Sequence, residues 1–353
     1  MKSKYLNRSL AALLSCLMLL SLAGCGSKTP AEGGDDSGDK PADPIVWKLG
    51  TTDNQPENSY MNAFADGCAE FVRLVNERSG GRLVIEPYYN SVLGGDIQMF
   101  TDIRDGNLDV YHGNPMSGLD ARLGFKSLPY LLENYDQVHE LIASPDGELF
   151  SLLKDIISDQ NAYTLACGEG VFRGFINSKQ PVHKIEDLKN MTVRVYEDPC
   201  VNAFWSPICN SQIISWSECY SALQTGVADG LESAANICVS AKFGEVADYY
   251  SDIGWQWMGE VYMVNQDRWN ELDPELQEIV QQAAWDACAL EAEKGAQYRQ
   301  EAYVALEDMG VEVYELTDAE RADWVKYGRS RYEAIRDIIG DETYNKVMEI
   351  VGK

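Results

Sequence analysis

Residues 215–233 read SWSECYSALQTGVADGLES, and much of the fold can be worked out from this stretch. Ser215 is followed three residues later by Glu218, which fits a capping box and predicts that a short helix begins here. The helix is expected to run out over residues 222–226. Residues 227–232 then predict a turn into a short buried strand.

The same stretch carries nine residues at fixed spacing. The pattern is E-x-Y-x-A-L-Q-x-G-x-x-D-G-x-E, and it resembles that of the solute-binding proteins of tripartite ATP-independent periplasmic (TRAP) transporters, the dicarboxylate-binding family. The matching residues are Glu218, Tyr220, Ala222, Leu223, Gln224, Gly226, Asp229, Gly230 and Glu232. Further matches outside the stretch are Gly94, Leu128, Pro129, Arg173 and Arg194. The resemblance covers nearly all of the chain after Pro44.

The resemblance implies an α/β protein with a two-lobed, type II-like periplasmic-binding-protein fold, a cleft between the lobes and a long helix spanning both. It also implies that the protein captures a small organic carboxylate and delivers it to the membrane subunits of a TRAP transporter. The residues themselves predict where the long helix begins, because Asp273 and Pro274 form a favoured pair of helix cap and first helical position.

The residues also predict the order of elements in the first lobe. Residues 45–51 and 82–88 alternate or cluster apolar side chains as strands do, and a helical spacing of apolar residues lies between them. Another helix is expected after Gly94, followed by a third strand over residues 108–111. This βαβαβ order predicts a parallel sheet with ligands at the carboxyl ends of its strands.

The second lobe is predicted to begin where residues 163–167 and 172–177 form strands that cross between the lobes, with Gly168 at the crossing. Residues 262–265 are expected to return to the first lobe. The predicted segments are a lipoprotein signal peptide over residues 1–24, a flexible tether over 25–44, lobe one over 45–167, lobe two over 168–257, and the return with the long and C-terminal helices over 258–353.

The first residues indicate export and anchoring. Residues 1–24 combine three basic residues with an apolar run and end in LAG before Cys25, as in a lipoprotein cleavage site. Cys25 would then carry the lipid, and the Gly-, Pro- and Asp-rich residues 26–44 would form a flexible spacer. The prediction is an extracytoplasmic protein anchored to the membrane by lipid.

Composition restricts the partners. The chain has 56 acidic and 29 Lys and Arg residues, a net charge of −27. A protein this acidic is not expected to bind nucleic acid, and it repels anions at long range. An anionic ligand would therefore need a local positive pocket.

Signatures of metal sites and enzymes are missing. The nine cysteines include no C-x-x-C pair, and most thiols are expected to be small buried side chains. No G-x-S-x-G, P-loop or H-E-x-x-H motif occurs, and His112, His139 and His183 are far apart in the chain. The sequence thus predicts no metal-binding motif, no cofactor and no catalysis by histidine, and it leaves open whether a metal ion bridges the ligand.

Arg194 is the principal candidate for holding a ligand. It is the single charged residue in the mainly apolar run 191–196. Its guanidinium is planar and can donate two hydrogen bonds to the two oxygens of one carboxylate. The matching arginine of the family makes this contact. Two other interpretations remain open: an edge strand with Arg194 facing outward, or a structural ion pair.

Arg173 is a second basic candidate, which could bind the ligand or pair with Glu218 or Glu232, both interpreted as buried structural partners. The family commonly has Asn where this chain has Ser233. Because serine is shorter, either the ligand sits deeper, a water intervenes, or Asn236, three residues later, replaces that amide. This departure leaves the substrate open.

Three further residues complete the predicted site. Trp216 stands where the family often has an aromatic residue over the ligand, or else packs in the core. Asp96 and Asn114 face the ligand in the family, but both types also favour caps and turns. Two other functions stay open: binding of a neutral sugar, nucleoside or peptide, and hydrolysis by paired carboxylates.

Overall fold

The computed structural model describes residues 43–352, which belong to one compact unit. The predicted signal peptide, the lipid site at Cys25 and most of the tether lie outside the described residues. Among the described helices, none has a stretch long and apolar enough to cross a bilayer.

The described residues form thirteen strands and twelve α-helices. The strands are β1 Ile45–Gly50, β2 Leu83–Tyr88, β3 Val110–Gly113, β4 Ala162–Cys167, β5 Val171–Phe172, β6 Gly174–Asn177, β7 Thr192–Val195, β8 Asn210–Ile213, β9 Gly230–Ser233, β10 Tyr249–Asp252, β11 Trp257–Met258, β12 Val261–Asn265 and β13 Glu312–Glu315. The helices are α1 Ala63–Arg78, α2 Asp96–Asp105, α3 Tyr135–Leu141, α4 Glu148–Ser158, α5 Pro199–Trp205, α6 Cys219–Thr225, α7 Ala235–Ser240, α8 Gln266–Glu271, α9 Pro274–Asp308, α10 Asp318–Ser330, α11 Tyr332–Ile339 and α12 Asp341–Ile350.

The first sheet has the strand order β2-β1-β3-β12-β4. Strands β1, β2 and β3 run parallel with α1 and α2 between them, which confirms the predicted βαβαβ order. The expectation of a purely parallel sheet is wrong, because β12 runs antiparallel to both β3 and β4. The chain enters β12 from the short strand β11, two residues earlier, without the helical crossover that a parallel strand requires.

The second sheet has the order β13-β10-β6-β9-β7-β8. Its strands β7, β8 and β9 are parallel, whereas β6 is antiparallel to β9 and β10. A two-stranded ribbon of β5 and β11 lies where the chain passes between the sheets. The single strand predicted over residues 172–177 is interrupted at Arg173, which separates β5 from β6.

The long helix α9 spans both sheets. The Asp273 side chain accepts hydrogen bonds from the backbone N–H groups of Glu275 and Leu276, and Pro274 is the first helical residue, as the sequence predicts. With 35 residues the helix is roughly 50 Å long. It contacts α1 and β4 on the first-sheet side and β13 on the other.

Residues 215–233 depart from their prediction at the start. The Ser215 hydroxyl donates to the Glu218 carboxylate (2.6 Å), and neither side chain caps the backbone, so the capping box is wrong. A 3₁₀ turn comes first and α6 follows, ending at Gly226 in the left-handed conformation. Glu218 is exposed, which also corrects its interpretation as a buried partner. The predicted buried strand is confirmed as β9, whose four residues are all buried.

The seven cysteines of the described part are free thiols. Six of them are buried and Cys209 is half-buried. The prediction that most are small buried side chains is confirmed.

Gly170 at the crossing has a positive φ of 69°, and an added Cβ would lie against the Met258 carbonyl. Gly226 has a similar φ of 74°, and no atom lies within 4 Å of the place that an added Cβ would occupy.

We expect Gly226→Ala to lower the free energy of unfolding by about 1–2 kcal/mol, from backbone strain alone. Gly170→Ala should lose about 1–3 kcal/mol more, because the neighbouring strand must move.

Urea unfolding of both variants measures this difference. Equal losses would show that the ribbon moves away freely and that the close approach at Gly170 carries no constraint.

Candidate ligand-binding site

A cavity that is open to solvent at its mouth is lined by residues from both sheets. From the first-sheet side come Thr52, Asp53, Asn54, Asn62, Phe64, Asp96, Asn114, Met116 and Glu260. From the second-sheet side come Arg173, Arg194, Tyr196, Trp216, Ser233, Ile237, Ser240, Ala241 and Met258.

Arg194 lies in β7, inside the second sheet between β9 and β8. Its residue is only 3% exposed, so the interpretation as an outward-facing edge residue is wrong. The Nε atom donates to the Ile214 carbonyl (2.9 Å), and the guanidinium carbon lies 5.6 Å from the Trp216 ring centre. Within residues 43–352 it forms no ion pair, which contradicts the structural-pair interpretation.

The arrangement suits an anion. A buried guanidinium is unfavourable unless an opposite charge lies against it, because burial removes it from water, and no carboxylate of residues 43–352 lies within ion-pair distance of Arg194. The two terminal nitrogens of Arg194 are not used in hydrogen bonds to the described residues and the side chain lines the cavity. They can donate two parallel hydrogen bonds to one carboxylate.

Arg173, in contrast, is committed to the protein. Its Nε atom is ion-paired with the Glu232 carboxylate, and its Nη2 atom donates to the Glu232 backbone carbonyl (2.8 Å). Its Nη1 atom lies 2.8 Å from Met258 Sδ. Of the two roles left open by the sequence, the structure places Arg173 in the ion pair, at the edge of the cavity.

Trp216 and Ser233 both face the cavity. Trp216 is half-buried and packs edge-on against Phe243, with ring centres 5.5 Å apart. The Ser233 hydroxyl is buried and makes no hydrogen bond to a described residue, although the Cys238 thiol is close to it. It can therefore donate to a ligand.

Asp96 and Asn114 reach the same cavity from the first sheet. The Tyr111 hydroxyl donates to Asp96 (2.5 Å), and Lys126 Nζ donates to the Asn114 side-chain carbonyl (2.6 Å). Burial lowers the pKa of Lys126 to about 8. The amide nitrogen of Asn114 stays available to a ligand.

Asn236 is not brought to this cavity. It lies in α7, and its amide nitrogen donates to the Met61 carbonyl (3.2 Å). It lines a different pocket, beside Tyr250 and Arg299. The structure therefore does not support the substitution of Asn236 for the family asparagine.

Sequence reasoning missed a buried group of three titratable side chains. His112 Nδ1 lies 3.7 Å from Asp53 Oδ2 and 3.4 Å from Glu260 Oε2. Burial raises the pKa of both carboxyls, and it lowers the pKa of His112 to about 3. The three residues come from separate parts of the chain, so no local motif could have revealed them. The His112 nitrogen and the two carboxylate oxygens are close enough to one another to coordinate a single metal ion.

Two sheets joined by crossing strands around a cavity, with a buried arginine that has no ion-pair partner among residues 43–352, are typical of a two-lobed solute-binding protein. The comparison with protein families agrees. Residues 56–337 match the DctP family model, described as bacterial extracellular solute-binding protein, family 7. The chain belongs to this family, whose members are solute-binding proteins of TRAP transporters.

Three relatives illustrate the similarity. The C4-dicarboxylate-binding protein DctB of Bacillus subtilis is 24% identical, over 96% of this chain and 98% of its own. The 2,3-diketo-L-gulonate-binding periplasmic protein YiaO of Escherichia coli is 27% identical, over 75% and 80%. A TRAP periplasmic solute-binding protein of Ralstonia eutropha, solved with (S)-2-acetolactate, is 27% identical with a TM-score of 0.78, over 87% and 98%.

Glu291 of α9 gives the crossing between the sheets a pH dependence. Its residue is 2% exposed, and its Oε1 atom accepts the Gly170 N–H (3.2 Å). Burial raises the pKa of Glu291 from 4.5 to about 8. Between these values the folded protein keeps a proton that the unfolded chain has released. The free energy of unfolding therefore falls as pH rises from 4.5 to 8.

Glu291→Gln removes this loss. We expect the variant to be more stable than the parent at pH 8 by on the order of 1–3 kcal/mol, with the difference much smaller near pH 5. Glu301→Gln, an exposed position on the same helix, is the control and should change little at either pH. Chemical unfolding at both pH values measures the effect, and a difference that does not depend on pH would contradict it.

Proposed function

We propose that this protein is the extracytoplasmic solute-binding component of a TRAP transporter and captures a small organic carboxylate by a two-point contact with Arg194. The observation that carries the proposal is the buried guanidinium, which lines the cavity and has no ion-pair partner among residues 43–352. A ligand carboxylate would supply the missing charge where little water competes.

The ligands named for the relatives support the class. C4-dicarboxylates, 2,3-diketo-L-gulonate and (S)-2-acetolactate differ in length and substitution, yet each carries a carboxylate. The rest of the cavity is suited to a ligand with polar groups, because Asp96 and Ser233 offer an acceptor and a donor while Trp216 offers a flat apolar face. Ser233 is shorter than the family asparagine and favours a ligand that extends further toward β9.

Closure follows from the position of the cavity. Both sheets contribute to its lining, so a form in which they come together makes more contacts with a ligand than an open form does. We assign the lobes to residues 45–167 and 168–257, with residues 258–353 returning to the first lobe. The crossing near Gly168 would be the hinge, and the closed form would dock on the membrane subunits.

The protein would act on the extracytoplasmic side of the cell membrane and would not catalyse a reaction. Cys25 would carry a lipid and residues 26–44 would serve as the tether. The ligand is delivered unchanged, so no catalytic role is assigned to the carboxylates of the cavity.

Replacing Cys25 with Ser should abolish the incorporation of a radiolabelled fatty acid into the protein, because the lipid would be attached to that thiol. Unchanged incorporation in the variant would contradict lipid anchoring at Cys25.

Replacing Arg194 tests the ligand contact. The protein from residue 43 onward would be screened by thermal shift against organic acids, sugar acids, neutral sugars and peptides, since a ligand that binds the folded state raises its melting temperature. For the best carboxylate, calorimetry should show that Arg194→Ala loses about 2–5 kcal/mol of binding free energy, roughly 30-fold to several-thousand-fold in Kd. Arg194→Lys keeps the charge without the fork and should lose less.

The control is Arg73→Ala, which also removes one positive charge, but from an exposed ion pair on α1. It should leave Kd unchanged. A response to neutral ligands alone, insensitive to Arg194, would replace the proposal with a receptor for neutral solutes. Conversion of the bound ligand, detected by mass spectrometry, would show an enzyme.

A further inference from the structure

The Asp53, His112 and Glu260 side chains form a cluster at the first-sheet wall of the cavity. His112 lies in β3, Asp53 follows β1 and Glu260 precedes β12, and these three strands are neighbours in the sheet. Asp53 and Glu260 line the cavity, and His112 lies behind them with no exposed surface. One donor atom from each residue lies within 4.8 Å of the other two.

The distances in the cluster distinguish hydrogen bonding from metal coordination. His112 Nδ1 is 3.4 Å from the Glu260 oxygen and 3.7 Å from the Asp53 oxygen, which is long for a hydrogen bond. Two ligand atoms bound to one metal ion at about 2.0–2.2 Å in tetrahedral geometry are about 3.3–3.6 Å apart. The 3.4 Å separation lies in this range and the 3.7 Å separation just above it, so the His112 nitrogen is spaced for a shared metal ion and not for a hydrogen bond.

The hydrogen-bonding state of the cluster also points to a ligand. Both ring nitrogens of His112 are buried and have no hydrogen-bond partner among the described residues. The Oε2 atom of Glu260 is also buried without a donor, although the Asp53 and Glu260 carboxyls are close enough to form a hydrogen bond with each other when one is protonated. His112 and Glu260 are 0% and 6% exposed. Polar atoms buried in this way are costly unless something binds them. A divalent cation would satisfy the imidazole nitrogen and the carboxylate oxygen together.

The supporting contacts of Asp53 are those expected of a metal ligand. Its Oδ1 atom accepts the Asn62 amide (2.9 Å), and its Oδ2 atom, which faces His112, accepts the Thr51 hydroxyl (3.1 Å). Hydrogen bonds of this kind orient ligating carboxylates.

The charges that face the cavity also favour a cation at this cluster. Asp53, Asp96 and Glu260 all face it, Arg173 is neutralised by Glu232, and Arg194 is the guanidinium left for a ligand. Buried carboxylates are unfavourable unless an opposite charge compensates them. A divalent ion on Asp53 and Glu260 would supply that compensation.

We propose that Asp53, His112 and Glu260 bind one divalent transition-metal ion of the Zn²⁺ class, with a coordination position open to the cavity. One imidazole and two carboxylates suit such an ion, and three protein ligands leave room for a fourth from outside. This last step rests on the proposed function: the fourth metal ligand is an oxygen atom of the bound organic acid. The metal would thus contact a part of the ligand that Arg194 does not hold.

The test uses Co²⁺ as a spectroscopic substitute for Zn²⁺, without any organic ligand. The protein from residue 43 onward is treated with EDTA, desalted and titrated with Co²⁺, and visible absorption and calorimetry report the binding. We expect one ion per chain and the intense visible bands of a four-coordinate site. Glu260→Gln, which preserves size, and His112→Ala should each weaken binding at least tenfold while circular dichroism confirms that the variants fold.

His139→Ala is the matched control, because His139 is a partly exposed histidine beside the Glu169 carboxylate, away from the cluster. It should bind Co²⁺ as the parent does. Absence of saturable binding, or binding lost in His139→Ala and kept in the cluster variants, would overturn the proposal. In that case Asp53 and Glu260 share a proton in place of a metal.

The coupling to the organic acid is measured separately. Calorimetry of the best carboxylate with EDTA or with Zn²⁺ should show at least tenfold tighter binding with the metal. Equal affinities would overturn the contact between metal and ligand. Since the Co²⁺ titration needs no organic acid, failure of the metal site leaves the Arg194 test unaffected, and failure of the Arg194 test leaves the metal titration unaffected.

Discussion

The buried ion pair of Arg173 and Glu232 holds together the place where the chain crosses between the sheets. Arg173 separates β5 from β6, Glu232 lies in β9, and the guanidinium also contacts Met258 in β11. Each charge is tolerated in the interior because the other compensates it. The pair therefore fixes one wall of the cavity. Because Arg173 is neutralised by Glu232, Arg194 is left as a cavity guanidinium without an ion-pair partner among the described residues.

The cavity is consequently an electrostatically divided site. Arg194 faces it from β7 on the second sheet, while Asp53, Asp96 and Glu260 face it from the first. Burial strengthens the attraction of Arg194 for an anion, since charges in a medium of low dielectric constant interact more strongly than in water. Burial also raises the pKa of the three carboxyls. An organic acid with a carboxylate at one end and oxygen atoms elsewhere can satisfy the arginine directly, and a cation can make the acidic wall attractive to the remaining oxygens.

Local signals in the sequence predicted the parts of this protein that depend on short-range structure. The nine-residue pattern in residues 218–232 indicated the family, Asp273 and Pro274 marked the start of α9, and the apolar surroundings of Arg194 indicated burial. Prediction failed where the outcome depends on distant strands. The antiparallel direction of β12 follows from where the chain re-enters the first sheet. The capping box at Ser215 does not form, because the Ser215 hydroxyl donates to the Glu218 carboxylate and neither side chain binds the backbone.

The site shows the same division between sequence and tertiary structure. The sequence by itself determined the family, the α/β architecture and the choice of Arg194 as a buried charge in an apolar strand, because motif spacing and strand patterns are local properties of the chain. Only the tertiary structure decided that Arg173 pairs with Glu232, that Asn236 points away from the cavity, and that Asp53, His112 and Glu260 meet. Those outcomes depend on which distant segments pack together, and a buried charge acquires its partner and its energy only when that packing is complete.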